Sequence, residues 1–406
     1  MIFIHPDGAG IAHWSAARFM SAGPDGELVW DTLPHIAVYR GHMKDSISGT
    51  SHGGATAHAF GRRVGWNSFG MDTGVPIDRG ARPSVVTRAL AEGLRAGLVN
   101  TGIATEPGTA AFVARVVDRK DHASIATQLV ESGAQVILGG GEKWFLPKGT
   151  RGVHGQGARE DGVDLVERAR SKGYVVVRTR EELAALSAIT DRVLGLFASD
   201  HTFNDLSEEE LRARGLPEYA PGAPTVAEMT AAAIRLLERD AAPFVLVVEE
   251  EGSDNFGNAN NARGTITALQ RADDALGVAR AFVQRNPRAL MLVASDSDAG
   301  GMETIGVPVV LAGDGERVLP ERSKNGAPLD GRDGTGTPPF LAAPDREGRR
   351  LPFAVAWSTN DDVSGGILCR AAGYRAELVH GSIDNTEIHD IMSAVLFAQP
   401  LDRSRR

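Results

Sequence analysis

The chain of 406 residues carries a formal charge of −9 and no long lysine/arginine run, which argues against a nucleic-acid partner, since phosphate backbones reward a basic face. Hydrophobic residues at 42%, charged residues at 23% and 48 glycines describe a turn-rich globular protein able to bury a sizeable core. No apolar run approaches the ~20 residues of a membrane-spanning helix, so no membrane partner is expected. In chain order, short apolar runs ending in Gly or an acid alternate with stretches of helical periodicity, the pattern of βα units around a mainly parallel sheet. Strands are predicted at 2–5, 136–138, 174–177, 244–248 and 290–294. Helices are predicted at 124–132, 181–186, 225–238 and 266–285, where apolar positions recur at three- and four-residue spacing. The fold class is therefore α/β, a central largely parallel sheet between helices, as one domain over 1–406 with insertions at 151–192 and 314–350. The second insertion is rich in Gly, Pro and charge and reads as an excursion from the core. Cys369, the lone cysteine, lies in an apolar run and reads as a buried inert thiol that demands no oxidising compartment. The opening Ile2-Phe3-Ile4 lacks a secretion-signal pattern, so a cytoplasmic location is expected, or secretion if a leader was removed, and 403–406 reads as a frayed tail.

Ligands of open α/β sheets gather at the carboxyl ends of strands, which gives weight to the polar residues just beyond the apolar runs. Asp7 follows the first run. Glu249, Glu250, Glu251 and Asp254 follow the fourth, and Asp296 and Asp298 the fifth. Any one of these acids could simply cap a helix. Several that share a sheet edge repel one another unless a cation sits among them. Ser51, in Gly49-Thr50-Ser51-His52-Gly53-Gly54, opens a predicted helix, where the dipole and free N–H groups favour an anion. Arg119, in Val117-Asp118-Arg119-Lys120, is a candidate partner for that anion.

The segments Asp7-Gly8-Ala9-Gly10, Trp14-Ser15-Ala16-Ala17-Arg18, Ile137-Leu138-Gly139-Gly140-Gly141, Ala227-Glu228-Met229-Thr230 and Asp384-Asn385-Thr386-Glu387-Ile388 occur in an order that resembles bacterial alkaline phosphatases over nearly the whole chain. The resemblance implies a central sheet between helices and a homodimer. It also implies a serine alkoxide held by two zinc ions and one magnesium, with an arginine clamping the phosphoryl oxygens. Position by position, it places the nucleophile at Ser51, the clamp at Arg119 and metal-ligating acids at Asp7, Glu249, Asp254 and Asp296.

The same alignment shows where this sequence departs from the family. The three zinc-ligand histidines expected from the resemblance are Asn258, Ser297 and Ser358 here; the acid before the nucleophile is Thr50, and the magnesium-side threonine is Gly108. Amide and hydroxyl oxygens suit hard cations, so a magnesium-like divalent metal bound by Asp7, Glu249, Asp254, Asp296 and Asn258 is expected in place of zinc. His52, directly after Ser51, is a candidate base, substrate donor or improvised ligand, whereas His58, further along the helix, is expected to pack. Three readings follow. The first is a phosphate monoester hydrolase or phosphoryl-transfer enzyme using Ser51, Arg119 and a hard cation on a small phosphorylated or polar substrate. The second is a repurposed pocket with acid/base chemistry at His52, and the third a non-catalytic anion-binding protein.

Overall fold

The computed structural model describes residues 1–80, 82–306 and 319–401, so the tail at 403–406 and positions 314–318 of the second expected insertion lie outside the described residues. Ile2–Pro6 (β1), His35–Arg40 (β2), Arg95–Ile103 (β3), Val136–Gly140 (β4), Tyr174–Val177 (β5), Arg192–Leu196 (β6), Phe244–Glu250 (β7) and Leu290–Val293 (β8) join Leu368–Gly373 and Gly381–Asp384 in a ten-stranded sheet. The order across it is Gly381–Asp384, β2, Leu368–Gly373, β8, β1, β7, β3, β4, β6, β5. Among the described residues only Leu368–Gly373 runs antiparallel to its neighbours, β2 and β8. The central strands pair in parallel.

Parallel strands covered on both faces read as continuous apolar runs, and β7 is buried along its whole length. Alternation sends neighbouring side chains to opposite faces. Phe3, Leu98, Val245 and Val247 pack beneath helices Ser51–Phe60, Val85–Ala91, His122–Glu131 and Asn385–Leu396. Ile2, Ile4, Val99, Leu246 and Val248 pack against Ile11–Ser21, Val226–Leu237 and Ala262–Arg285. Each such side chain contributes about 1.5–3 kcal/mol by leaving water.

All five predicted strands are present, Tyr174–Val177 with the predicted bounds. The predicted helices appear as His122–Glu131, Arg180–Ala184, Val226–Leu237 and Ala262–Arg285. Side-chain caps set their starts: Thr225 Oγ1 accepts the Glu228 N–H while Glu228 reaches back to the Thr225 N–H. The central strand β3 has no counterpart among the predictions, because its Gly97, Asn100, Thr101 and Gly102 interrupt the apolar pattern. Hydrogen bonding to β7 and β4 on either side decides its conformation.

Within 151–192, the predicted strand 174–177 is hydrogen-bonded to β6 as the sheet's edge. Of 319–350, Leu329–Gly331, Gly334–Thr335 and Phe340–Leu341 belong to a small antiparallel sheet with Glu303–Gly306 and Pro352–Ala356. Phe353 anchors it edge-on to Phe19, ring centroids 5.6 Å apart.

Two buried carboxyls cap the long helix: Asp330 accepts the Ala262 N–H and Glu208 the Arg263 N–H. Burial, reinforced at Glu208 by the Asp330 charge, raises Glu208 to about 8, and burial raises Asp330 to about 7. A raised folded-state pKa means the protonated carboxyl is favoured, so its stability contribution is full below the ordinary value of 4.5 and is lost as pH rises through about 8. Glu208→Gln keeps an acceptor for Arg263 and removes the titration. Thermal denaturation should show the variant losing less stability than the parent between about pH 5 and about pH 8, by a few kcal/mol. Parallel curves for the two proteins would refute the assignment.

Candidate active site

The carboxyl ends of β8, β1, β7 and β3 lie side by side in the sheet, and the acids that follow those strands meet there. Asp296 leaves β8, Asp7 leaves β1, Glu249 is the penultimate residue of β7, Glu251 lies just beyond that strand and Glu106 follows β3. Asp254 stands in the helix Gly252–Asn258, and Asp362 arrives on a short strand paired with Asp298–Ala299. Asp7, Glu249, Glu251, Asp254 and Asp296 are all buried. Ligand-capable atoms of Asp7, Glu251 and Asp254 lie within 4.8 Å of one another, as do those of His5, Asp7 and Glu249.

Alternation decides which glutamates enter the site. Glu249 and Glu251 face it. Glu250 points to the other side, where its carboxylate accepts from Thr101 Oγ1 at 2.8 Å and the Gly252 N–H at 3.2 Å. Asp298 is also turned away, 3.7 Å from His13 Nδ1.

His5 was not among the expected site residues, yet its ring lies at the centre of the acids. Nδ1 is 3.3 Å from Glu249 Oε1, and Nε2 is 3.4 Å from Asp296 Oδ1 and 3.8 Å from Asp7 Oδ1. Burial would lower its pKa, but the bonds and charges of Asp296 and Glu249 outweigh burial and hold it up at about 9. Burial likewise pushes Asp296 upward, and His5 with Asp7 more than offsets this, leaving Asp296 below the ordinary carboxylate range. Asp7, Glu251 and Asp254 go the other way: burial, then neighbouring carboxylates, raise all three well above their usual values. The sequence signal for His5 is a histidine two residues before Asp7 on the same face as Phe3, beneath the Ser51 helix. His58 of that helix meets the His5 ring edge-on at 5.6 Å and pairs with Tyr39 Oη at 2.6 Å, so it packs as expected.

Ser51 is the first residue of its helix, capped by Thr50, whose Oγ1 accepts the Gly53 N–H at 3.1 Å and donates to the Trp66 carbonyl at 3.0 Å. Thr50 therefore takes a structural position where the family acid is missing. The serine turn presses against the end of β8: a Cβ on Gly54 would stand 2.4 Å from Asp296 Cβ, so only glycine allows this approach.

Arg119 Nη2 donates to Glu106 at 2.8 Å and Nη1 to His52 Nδ1 at 3.3 Å. A guanidinium only donates, so His52 Nδ1 is the acceptor and the ring proton resides on Nε2. Burial, then the Arg119 charge, push the His52 pKa down to about 4. Such a ring, with its lone pair taken, is a poor base at neutral pH. The geometry corrects the acid/base expectation: His52 holds Arg119 from one side, as Glu106 does from the other.

Asn258 also differs from expectation. Its side-chain oxygen accepts the Gly300 N–H at 3.0 Å, which fixes the amide so that Nδ2 donates to both Asp254 oxygens at 3.2 Å and to Asp362 at 3.1 Å. It bridges two carboxylates through Nδ2, while its oxygen is engaged by the Gly300 N–H. Ser358 Oγ donates to the Gly301 carbonyl at 3.0 Å, and Ser297 Oγ stands 3.5 Å from Asp296. A zinc pair, which favours imidazole and thiolate ligands, does not fit these residues. The carboxylates suit a hard cation: Asp7 Oδ2, Glu249 Oε1, Glu251 Oε2 and Asp296 Oδ2 are buried without a hydrogen-bond partner, and Asp7, Glu251 and Asp254 form one close group.

A sequence model of the alkaline phosphatase family matches residues 1–398. The chain is 28% identical over 338 residues to alkaline phosphatase of Escherichia coli (strain K12), covering 73% of this chain and 69% of that protein. It is 30% identical over 342 residues to streptomycin-6-phosphate phosphatase of Streptomyces griseus, covering 73% and 72%. Among solved structures, Thermus thermophilus alkaline phosphatase superposes with a TM-score of 0.75 at 24% identity over 98% of this chain and 91% of that one. A variant of alkaline phosphatase from the Antarctic bacterium TAB5, with magnesium bound in its M3 site, gives 0.73 at 22% identity over 98% and 97%. With this match over nearly its whole length, the chain belongs to the alkaline phosphatase family and is a phosphatase-like enzyme.

Proposed function

We propose that this protein hydrolyses or transfers the phosphoryl group of small phosphate monoesters, with Ser51 as nucleophile, Arg119 as clamp and one hard divalent cation in place of the zinc pair. The observation that carries the reading is the joining of Arg119 to His52, the residue after Ser51, beside a set of buried acids with unpartnered oxygens. Asp7, Glu251 and Asp254 are the residues that would hold the cation, magnesium or manganese, with Glu251 taking the part first expected of Glu249. When bound, such a cation supplies Lewis-acid stabilisation of phosphoryl oxygens and lowers the pKa of an oxygen bound to it.

The protein's own groups do the rest. Thr50 takes the N–H groups of Gly53 and Gly54, so those of Ser51 and His52 are the first-turn donors left for an anion. Arg119, braced by Glu106 and His52, aligns two donors on the phosphoryl group without having to be ordered at each turnover. His52→Ala frees one side of that brace. Its expected effect is a rise in KM of about 3- to 10-fold with kcat changed less, since a positioning residue is lost and no base. Steady-state kinetics with 4-nitrophenyl phosphate and added Mg²⁺ or Mn²⁺ tests both parts, and a collapse of kcat in His52→Ala would restore His52 as an acid/base group. No phosphate release with any divalent metal would overturn the function itself.

A further inference from the structure

The family's multi-metal centre needs room among the acids, and in this protein a side chain occupies part of that room. We infer that the His5 imidazole fills the room in which a second cation would otherwise be held by Asp7 and Glu249, and thereby limits the site to a single metal. Cations of this class sit about 2.0–2.6 Å from oxygen ligands. The ring nitrogens lie 3.3 Å from Glu249 Oε1 and 3.8 Å from Asp7 Oδ1, and ligand-capable atoms of the three residues fall within 4.8 Å of one another, so a cation shared by Asp7 and Glu249 would compete with the ring for that space. The ring is fully buried, with Phe3 stacked at 6.0 Å and His58 edge-on at 5.6 Å.

Glu249 supplies an independent observation. Its second oxygen accepts from Asn100 Nδ2, and Oε1 occupies the space that a side chain at position 108 would need: a Cβ on Gly108 would lie 1.6 Å from it. A magnesium-side threonine at 108 and Glu249 in this position are mutually exclusive. Asn100 thus holds one oxygen of Glu249, while the other stands against His5 without a hydrogen-bond partner and fills the room left by Gly108. Asp7 is the residue shared by both halves of the cluster, with Oδ1 on the His5 side and Oδ2 unpartnered. The geometry leaves the Asp7–Glu251–Asp254 side as the part open to a cation.

The inference rests on the one-cation reading only for the count expected of the unaltered protein. The test is equilibrium dialysis against Mg²⁺ or Mn²⁺ followed by elemental analysis, on the parent and on His5→Leu, with circular dichroism to establish that the variant is folded. The expected result is about one equivalent for the parent and about two for His5→Leu, because Asp7 and Glu249 lose the ring between them and gain its volume. No metal on the parent but one on the variant would sink the one-cation reading while upholding the role of His5. One on each would do the reverse. Two or more on the parent, or loss of metal from folded His5→Leu, would overturn the inference, the latter by showing His5 to be a ligand. Should His5→Leu not fold, the same count on His5→Val, a smaller β-branched residue suited to a strand, decides the matter, one equivalent more than the parent upholding the inference and the parent's own count overturning it.

Discussion

Ser51→Ala should lower phosphate release from a monoester by at least ~1,000-fold, about 4 kcal/mol of transition-state stabilisation, with stability changed by less than about 0.5 kcal/mol. The two halves of that expectation have different causes. The helix is capped by Thr50, whose hydroxyl and carbonyl take the N–H groups of Gly53 and Gly54, so removing the neighbouring Oγ costs no cap. The phosphoryl acceptor is lost altogether, and water must replace it without being held at the same point. Kinetics with 4-nitrophenyl phosphate and a thermal melt on one preparation suffice. Activity within tenfold of the parent would remove Ser51 from the mechanism and with it the proposed reaction.

Glu251→Gln should weaken Mg²⁺ binding at least ~100-fold and reduce turnover in proportion, while making the metal-free protein more stable by about 1–3 kcal/mol. The opposite signs separate a metal ligand from a structural acid. Glu251 is held above its usual range first by burial, then by Glu249, Glu106 and Asp254, so in the metal-free protein its ionised form is a liability. With its pKa raised on folding, its contribution to stability is full below the ordinary carboxylate value and falls away as pH rises; a bound cation reverses the trend by mass action. Calorimetric titration and metal-free melts at neutral pH test this. A variant that binds magnesium like the parent would hand the ligand role back to Glu249 and Asp296.

Much of the fold was legible because it rests on local pattern. The apolar runs at β1, β5, β7 and β8, the capping box at Thr225 and the three- and four-residue spacing of Ala262–Arg285 each carry their own signal in sequence. β3 was not legible, since glycines and polar residues that would weaken an isolated strand are tolerated between two paired neighbours. The β5 edge and the small antiparallel sheet near Pro352–Ala356 likewise depend on partners distant in the chain.

The site divides the same way. By itself the sequence determined the chemistry available: a serine at a helix start, an arginine, a run of strand-end acids, and amide or hydroxyl groups where imidazoles would be needed for zinc. Only the tertiary structure decided how those groups are used. It turned Glu250 and Asp298 out and Glu251 in, because strand alternation and the path of the following turn set where each carboxylate points. It made Asn258 a bridge, because the Gly300 N–H claims its oxygen, and His52 a brace, because Arg119 claims its lone pair. It also brought His5 from a strand that reads as plain core into the middle of the acids. A side chain's protonation and partners follow from what surrounds it in space, which neighbours in sequence do not fix.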